Sequence, residues 1–155
     1  MLIRKATPED LPLIRALEQQ SETAAHWGER EYDALFAPDA PARLVMVSAD
    51  ESDPQNISGF AVVRCGLPED GWEIENVVVA TGQRRQGLGT ALVDEILRQA
   101  HANRAASVLL EVRESNQAAR FLYEKLGFSE IGRRPGYYQD PPEAALVLQI
   151  SVTDV

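Results

Sequence analysis

The sequence predicts an α+β chain built on one mixed, mainly antiparallel sheet of about seven strands, with helices on its faces. Three observations carry that reading. Seven short apolar runs are separated by turn residues, one glycine-rich loop passes straight from a strand into a helix, and the composition is ordinary for a folded domain. Hydrophobic residues make up 45% of the 155 positions and charged residues 25%, with no repeat or low-complexity tract, so one domain over 1–155 with a buried core is expected.

Leu2 to Ala6 reads as the first strand. Thr7 to Asp10 (TPED) is then a helix start, with Thr7 as cap, Pro8 at the first helical position and acids in the first turn. The helix continues through Leu11, Ile14 and Leu17, although Pro12 removes a backbone donor at what would be an interior position. Ser21 to Asp39, which contains His26, Trp27 and Gly28, suggests a broken second helix with an irregular entry. Arg43 to Ser48 and Ile57 to Arg64 form an antiparallel hairpin around the turn Ala49 to Asn56. After a turn at Gly66 to Gly71, the strand Trp72 to Ala80 gathers β-branched residues toward its end, as a central strand does.

Beyond the glycine loop, Leu88, Ala91, Leu92, Ile96 and Ala100 recur at helical spacing. Ser107 to Val112 is again a strand, so strand, loop, helix and strand make a crossover unit whose two strands should be parallel. Ser115 can cap a further helix through Lys125, closed by Gly127 in a left-handed conformation. Phe128 to Ile131 and Ala144 to Ile150 then flank a Gly, Pro and Tyr-rich loop as antiparallel strands.

A formal net charge of −9 disfavours non-specific binding to nucleic acid or to an anionic membrane, and mildly favours a cationic partner. The single cysteine, Cys65, cannot form an internal disulfide and reads as a small strand residue. With no signal-peptide pattern and no apolar run long enough to span a bilayer, a cytoplasmic protein is expected. His26 has no evident metal companion and His101 sits at a helix end, so no metal is expected.

Gln83 to Thr90 (QRRQGLGT) places Gly87 and Gly89 directly before a helix, where backbone amides are unpaired and the helix dipole is positive. Such a site attracts phosphate, and Arg84 and Arg85 can add contacts at its rim. It is not the nucleotide loop with a lysine after its last glycine, because Thr90 follows Gly89 directly. Nor is it the three-glycine dinucleotide loop, because position 92 is Leu92.

QRRQGLGT resembles the acetyl-CoA pyrophosphate loop of the GNAT N-acetyltransferase superfamily. Asn76 to Thr90, Leu110 to Gly127 (LEVRESNQAARFLYEKLG) and Arg133 to Tyr138 (RRPGYY) are similar to the RimI-like family, which acetylates the N-terminal alanine of a ribosomal protein. The resemblance implies a sheet splayed between its two central parallel strands, and acetyl-CoA as co-substrate. It implies that the Val77, Val78 and Val79 backbone hydrogen-bonds the pantetheine arm. It also implies that Arg85, Gln86, Gly87, Leu88, Gly89 and Thr90 hold the pyrophosphate, and that Asn116 contacts the coenzyme. Read on its own, Asn116 could equally be a first-turn helix residue.

Acetyl transfer needs a proton removed from an ammonium group and one returned to the departing thiolate. In the RimI-like pattern Glu111 matches the general base and Tyr123 the general acid. Glu111 lies among apolar strand residues, where a carboxylate takes up a proton more readily, and a tyrosine stays protonated at neutral pH because its intrinsic pKa is about 10. Glu73 and Glu75 share one strand face and are rival bases or amine-binding groups. The acceptor should lie between the first-helix connection, with His26 and Trp27, and the loop Arg133 to Asp140, with Tyr137 and Tyr138. A peptide N-terminus of a ribosomal protein fits the resemblance. A small-molecule amine or a lysine side chain is the alternative acceptor, and a non-catalytic acyl-CoA-binding module the alternative of another class.

Overall fold

The computed structural model describes residues 1–21, 29–36, 42–80, 87–139 and 141–152. Among them lies a mixed seven-stranded sheet of order β1-β2-β3-β4-β5-β7-β6. Its strands are β1 (Leu2–Lys5), β2 (Arg43–Asp50), β3 (Asp53–Cys65), β4 (Trp72–Val79), β5 (Ser107–Arg113), β6 (Ser129–Tyr138) and β7 (Glu143–Ser151). The helices are α1 (Leu11–Gln20), α2 (Glu29–Ala34), α3 (Leu88–Ala102) and α4 (Gln117–Lys125). The chain forms two compact units, Met1–Cys65 with Glu75–Ile96, and Gly66–Ile74 with Leu97–Val155. None of the described helices is long and apolar enough to cross a membrane.

In the first unit, β1, β2 and β3 pair antiparallel in sequence order. Ile14, Phe60, Val47 and Val62 are fully enclosed, and Leu11 and Leu17 pack partly against the same cluster. Each such side chain contributes about 1.5–3 kcal/mol by leaving water. The TPED start is a separate 3-10 turn, Pro8–Asp10, ahead of α1. Pro12 therefore falls in the first turn of the α-helix, where its missing N–H has no partner to lose, and the interior defect expected from sequence does not arise. Asp10 is buried, accepts the Thr7 amide at 2.8 Å and takes both Arg4 guanidinium nitrogens at 2.8 Å.

The hairpin differs from the sequence expectation as well. Its turn is Glu51–Ser52 alone, because the Asp50 carboxylate accepts both the amide and the hydroxyl of Ser52 and closes the chain early. Ala49, Asp50 and Asp53 to Asn56 are strand residues, and register shifts around Ala49 accommodate Pro54. Gly59 marks a close approach: a Cβ there would lie 2.9 Å from the Val78 carbonyl oxygen and 3.0 Å from Ser48 Oγ. The Ala80 amide donates to Ser58 O at 2.8 Å, fixing the end of β4 against β3.

In the second unit, Trp72, Glu73 and Ile74 of β4 run parallel to Val108, Leu109 and Leu110 of β5, the parallel pair the crossover pattern predicted. β5 pairs antiparallel with β7 along its whole length, and β7 with β6. The cap of α4 is Asn116, whose Oδ1 accepts the Ala119 amide at 3.2 Å; Ser115, the expected cap, donates its own amide to Glu143 instead. Gly127 ends the helix at φ +106. β6 also corrects the expected loop: it continues through Arg133, Pro135 and Gly136 to Tyr138, with a register shift between Arg134 and Tyr138 that absorbs the proline and glycine.

Candidate functional site

The first unit supplies a strand end and a helix start. Along β4 the side chains alternate, so Val78 is buried while Val77 and Val79 are half-buried. Gly87 has φ +78, and a Cβ there would meet nothing within 4 Å. Its glycine is therefore required by backbone conformation and not by packing. Gly87 O accepts the Ala91 amide at 2.9 Å, opening the 15-residue helix α3, whose first turn carries no acid. Leu88 is buried there, Gly89 and Thr90 are half-buried, and the uncompensated positive end of the helix can receive an anionic oxygen. The predicted contacts of Arg84, Arg85 and Gln86, and those of His26 and Trp27, lie outside the described residues.

The second unit supplies the acid-bearing face. On β5 the residues Ser107, Leu109, Glu111 and Arg113 share the half-buried side, and Val108, Leu110 and Val112 the buried one. Glu111 Oε1 accepts Arg134 Nη1 at 2.7 Å, whereas Glu111 Oε2 is buried and accepts no hydrogen bond from the described residues. The Arg134 guanidinium also lies over the Tyr137 ring, 4.4 Å from its centroid, and Arg113 lies over Tyr138 at 4.2 Å. The two tyrosine rings are 5.1 Å apart. The Glu111 charge, followed by burial, raises the Tyr137 pKa; burial, followed by the Glu111 charge, raises that of Tyr138. The charge of Glu73 also reaches Tyr137 and Arg134.

Of the predicted site residues this unit therefore gathers Glu73, Glu111, Tyr137 and Tyr138. Glu75, its expected equal, belongs to the first unit and is held by Arg43 at 2.7 and 3.2 Å. Tyr123 is buried in α4, packs edge-on against Phe128 at 5.5 Å, and is pushed well above the ordinary tyrosine pKa by burial alone. It is thus a protonated phenol at neutral pH, with the capacity to donate. Asn116 spends its side-chain oxygen on the α4 cap.

Arg113 and Arg134 are residues beside these tyrosines that sequence reasoning passed over, although Arg113 stands in LEVRESNQAARFLYEKLG and Arg134 in RRPGYY. Cys65 is half-buried in β3 and its thiol is pushed up by burial, which suits the inert strand role expected of it. Among the described residues no group of three His, Cys, Asp or Glu side chains is placed to hold a metal ion.

Comparison with known proteins adds to this geometry. The model of the Acetyltransferase (GNAT) family matches residues 11–128. Over 146 residues the chain is 32% identical to ribosomal protein bS18-alanine N-acetyltransferase of Escherichia coli (strain K12), with 93% of each chain covered. The crystal structure of the ribosomal-protein-S18-alanine N-acetyltransferase from Escherichia coli matches with a TM-score of 0.84 at 29% identity, covering 98% of this chain and 94% of that one. Arabidopsis thaliana NAA60 in complex with acetyl-CoA has the same fold, with a TM-score of 0.87 at 16% identity and 97% and 98% coverage.

Proposed function

This chain belongs to the GNAT acetyltransferase family, an acetyl-CoA-dependent N-acetyltransferase, and from that premise we propose that it acetylates the α-amine of a protein chain beginning with alanine, that of a ribosomal protein. The observation that carries the proposal is the Glu111 carboxylate, which has one unfilled buried oxygen and sits beside the paired rings of Tyr137 and Tyr138. An extended peptide N-terminus offers what such a place needs: a small first side chain, a single titratable amine and a backbone that can lie along aromatic rings. The identity with an enzyme named for the bS18 alanine supports the same acceptor.

In this reading the backbone of Val77, Val78 and Val79 pairs with the pantetheine amides as an added strand would. The amides from Gly87 to Thr90 hold the pyrophosphate, helped by Arg85 and Gln86, and Asn116 offers its remaining amide group to the coenzyme. Glu111 takes the proton of the acceptor ammonium. The freed nitrogen forms a bond to the acetyl carbon as the carbon–sulfur bond breaks, and the departing thiolate takes its proton from the Tyr123 hydroxyl. The second proton that the nitrogen sheds on becoming an amide restores the Tyr123 hydroxyl, and Glu111 releases its proton to solvent. Glu73 and Tyr137 orient the amine toward Glu111. A ribosomal acceptor sets the reaction in the cytoplasm.

The test is thiol release from acetyl-CoA with an Ala-initiated peptide, an N-blocked lysine peptide and a polyamine, run on the parent, Glu111→Gln and Tyr123→Phe. The Ala-initiated peptide is expected to be the best acceptor. Both variants should lose at least about a hundredfold in kcat, the usual yield of one general acid or base. A better rate on the lysine peptide or polyamine reassigns the acceptor, and full activity of either variant removes that residue from the chemistry.

A further inference from the structure

Three carboxylate–arginine pairs differ in how far their two side chains are exposed. Arg43 and Glu75 are equally covered, at 17% side-chain exposure each, as a structural pair is. Arg133 and Glu114 are equally open, at 51% and 42%, as a surface pair is. Arg134 and Glu111 are unequal: the acid is 19% exposed and the arginine 57%.

The register explains the inequality. Glu111 pairs with Val147, Arg134 pairs with Ala145, and β7 lies between β5 and β6. Arg134 must therefore reach across a strand, past the buried Ala145, to touch Glu111. Oε1 carries the guanidinium and Oε2 is covered. Of the groups around it, Arg134 and Tyr137 are the exposed ones, and they are stacked on one another.

We propose that Arg134 is a resident stand-in for the acceptor: its guanidinium occupies the cation place at Glu111 until an incoming ammonium takes that place, and it then keeps only its stacking on the Tyr137 ring. The proposal rests on Glu111 as the amine-binding base. An ion pair with one solvent-exposed partner is weak enough to exchange for another cation. The Tyr137 face, on which the guanidinium already lies, keeps part of its electrostatic stabilisation once the bond to Glu111 is given up. Arg134 thereby raises the affinity threshold for acceptors, since only an amine that is also held by its remaining peptide contacts can win the exchange. It is a positioning residue and not a catalytic one.

Two measurements on Arg134→Gln and Arg134→Lys test this. The first needs no acceptor: carboxyl labelling by a water-soluble carbodiimide with glycinamide, read at Glu111 by peptide mass spectrometry, with Glu114 as internal reference. Glu111 should label faster in Arg134→Gln than in the parent, Arg134→Lys should keep the slow labelling, and Glu114 should not change. The second is steady-state kinetics with the Ala-initiated peptide. Arg134→Gln should lower the acceptor KM by about two- to fivefold, the fold-change an exposed ion pair corresponds to. The KM for acetyl-CoA should stay fixed, and Arg134→Lys should return the acceptor KM to the parent value. Equal labelling of Glu111 in parent and Arg134→Gln overturns the proposal, as does an unchanged or higher acceptor KM. If labelling accelerates but the peptide is not acetylated by any form, the acceptor reading fails while the guarding of Glu111 by Arg134 stands.

Discussion

Gly59→Ala tests how the sheet sets the donor strand in place. The added methyl would lie 2.9 Å from Val78 O, 3.0 Å from Ser48 Oγ and 3.4 Å from Leu92 Cδ1. A leucine terminus can rotate, and the Ser48 hydroxyl can turn away at the expense of its 3.1 Å contact with Ser58 Oγ. The Val78 carbonyl belongs to the backbone of β4 and can only move with the strand. Overpacking against backbone belongs to the upper part of the usual range, so a loss of about 2–3 kcal/mol is expected. For a chain of this size that corresponds to a Tm lower by about 4–12 °C. Because the same stretch of β4 is proposed to hold the pantetheine arm, KM for acetyl-CoA should rise while the acceptor KM does not. Ser48→Ala placed on top of Gly59→Ala should restore less than half of the lost Tm, since it relieves one contact and leaves the carbonyl. Calorimetry and steady-state kinetics on the three variants decide it. A Tm equal to the parent's refutes the close-approach argument. A lower Tm with an unchanged KM for acetyl-CoA refutes the assignment of Val78 to the coenzyme.

Two further outcomes follow from side chains at helix starts. Arg4, above all, holds the Asp10 carboxyl below the usual aspartate range, with the Thr7 amide adding to it. The stabilisation it brings is complete above the unfolded value of about 3.9 and is lost as pH falls through the lower folded value. Asp10→Asn should therefore lower Tm at pH 7, and the gap to the parent should narrow as pH falls below about 4; a gap that stays constant as the pH is lowered speaks against the ion pair as its source. Asn116→Ala should cost about 1 kcal/mol through the α4 cap, whereas Asn116→Ser keeps a cap of similar strength. If Asn116→Ser regains Tm but still shows a raised KM for acetyl-CoA, the residue touches the coenzyme; if both recover, it serves the helix alone.

The strands rich in Val, Ile and Leu, the crossover around α3 and the left-handed Gly127 were legible because each depends on residues close in the chain. Other features depended on contacts that sequence order does not reveal. Ser115 and Asn116 are both good caps, and the choice between them is decided by Glu143, 28 residues away, which takes the Ser115 amide. Pro135 and Gly136 look like a loop, yet the register shift before Tyr138 lets β6 run through both. Glu73 and Glu75 stand on one face of one strand and differ only in company, since Arg43 comes from β2. The link from Arg134 to Glu111 needs the β5-β7-β6 order, which no local pattern encodes. Glu111 and Tyr123 were reached through resemblance, and the physical environment each occupies became readable only in the fold.

Neither compact unit is one continuous piece of chain. The segment Gly66–Ile74 belongs with the carboxyl-terminal part, although Glu75–Ile96 after it belongs with the amino-terminal part. During synthesis, every residue of the first unit has been made by Ile96, while Gly66–Ile74 of the second must wait for partners that follow Ile96 in the chain. The face that bears Glu111, Arg134 and the two tyrosines is thus completed after the unit that carries the glycine-led helix start. No single cut separates the units either, so a split version with one break divides at least one of them between two fragments.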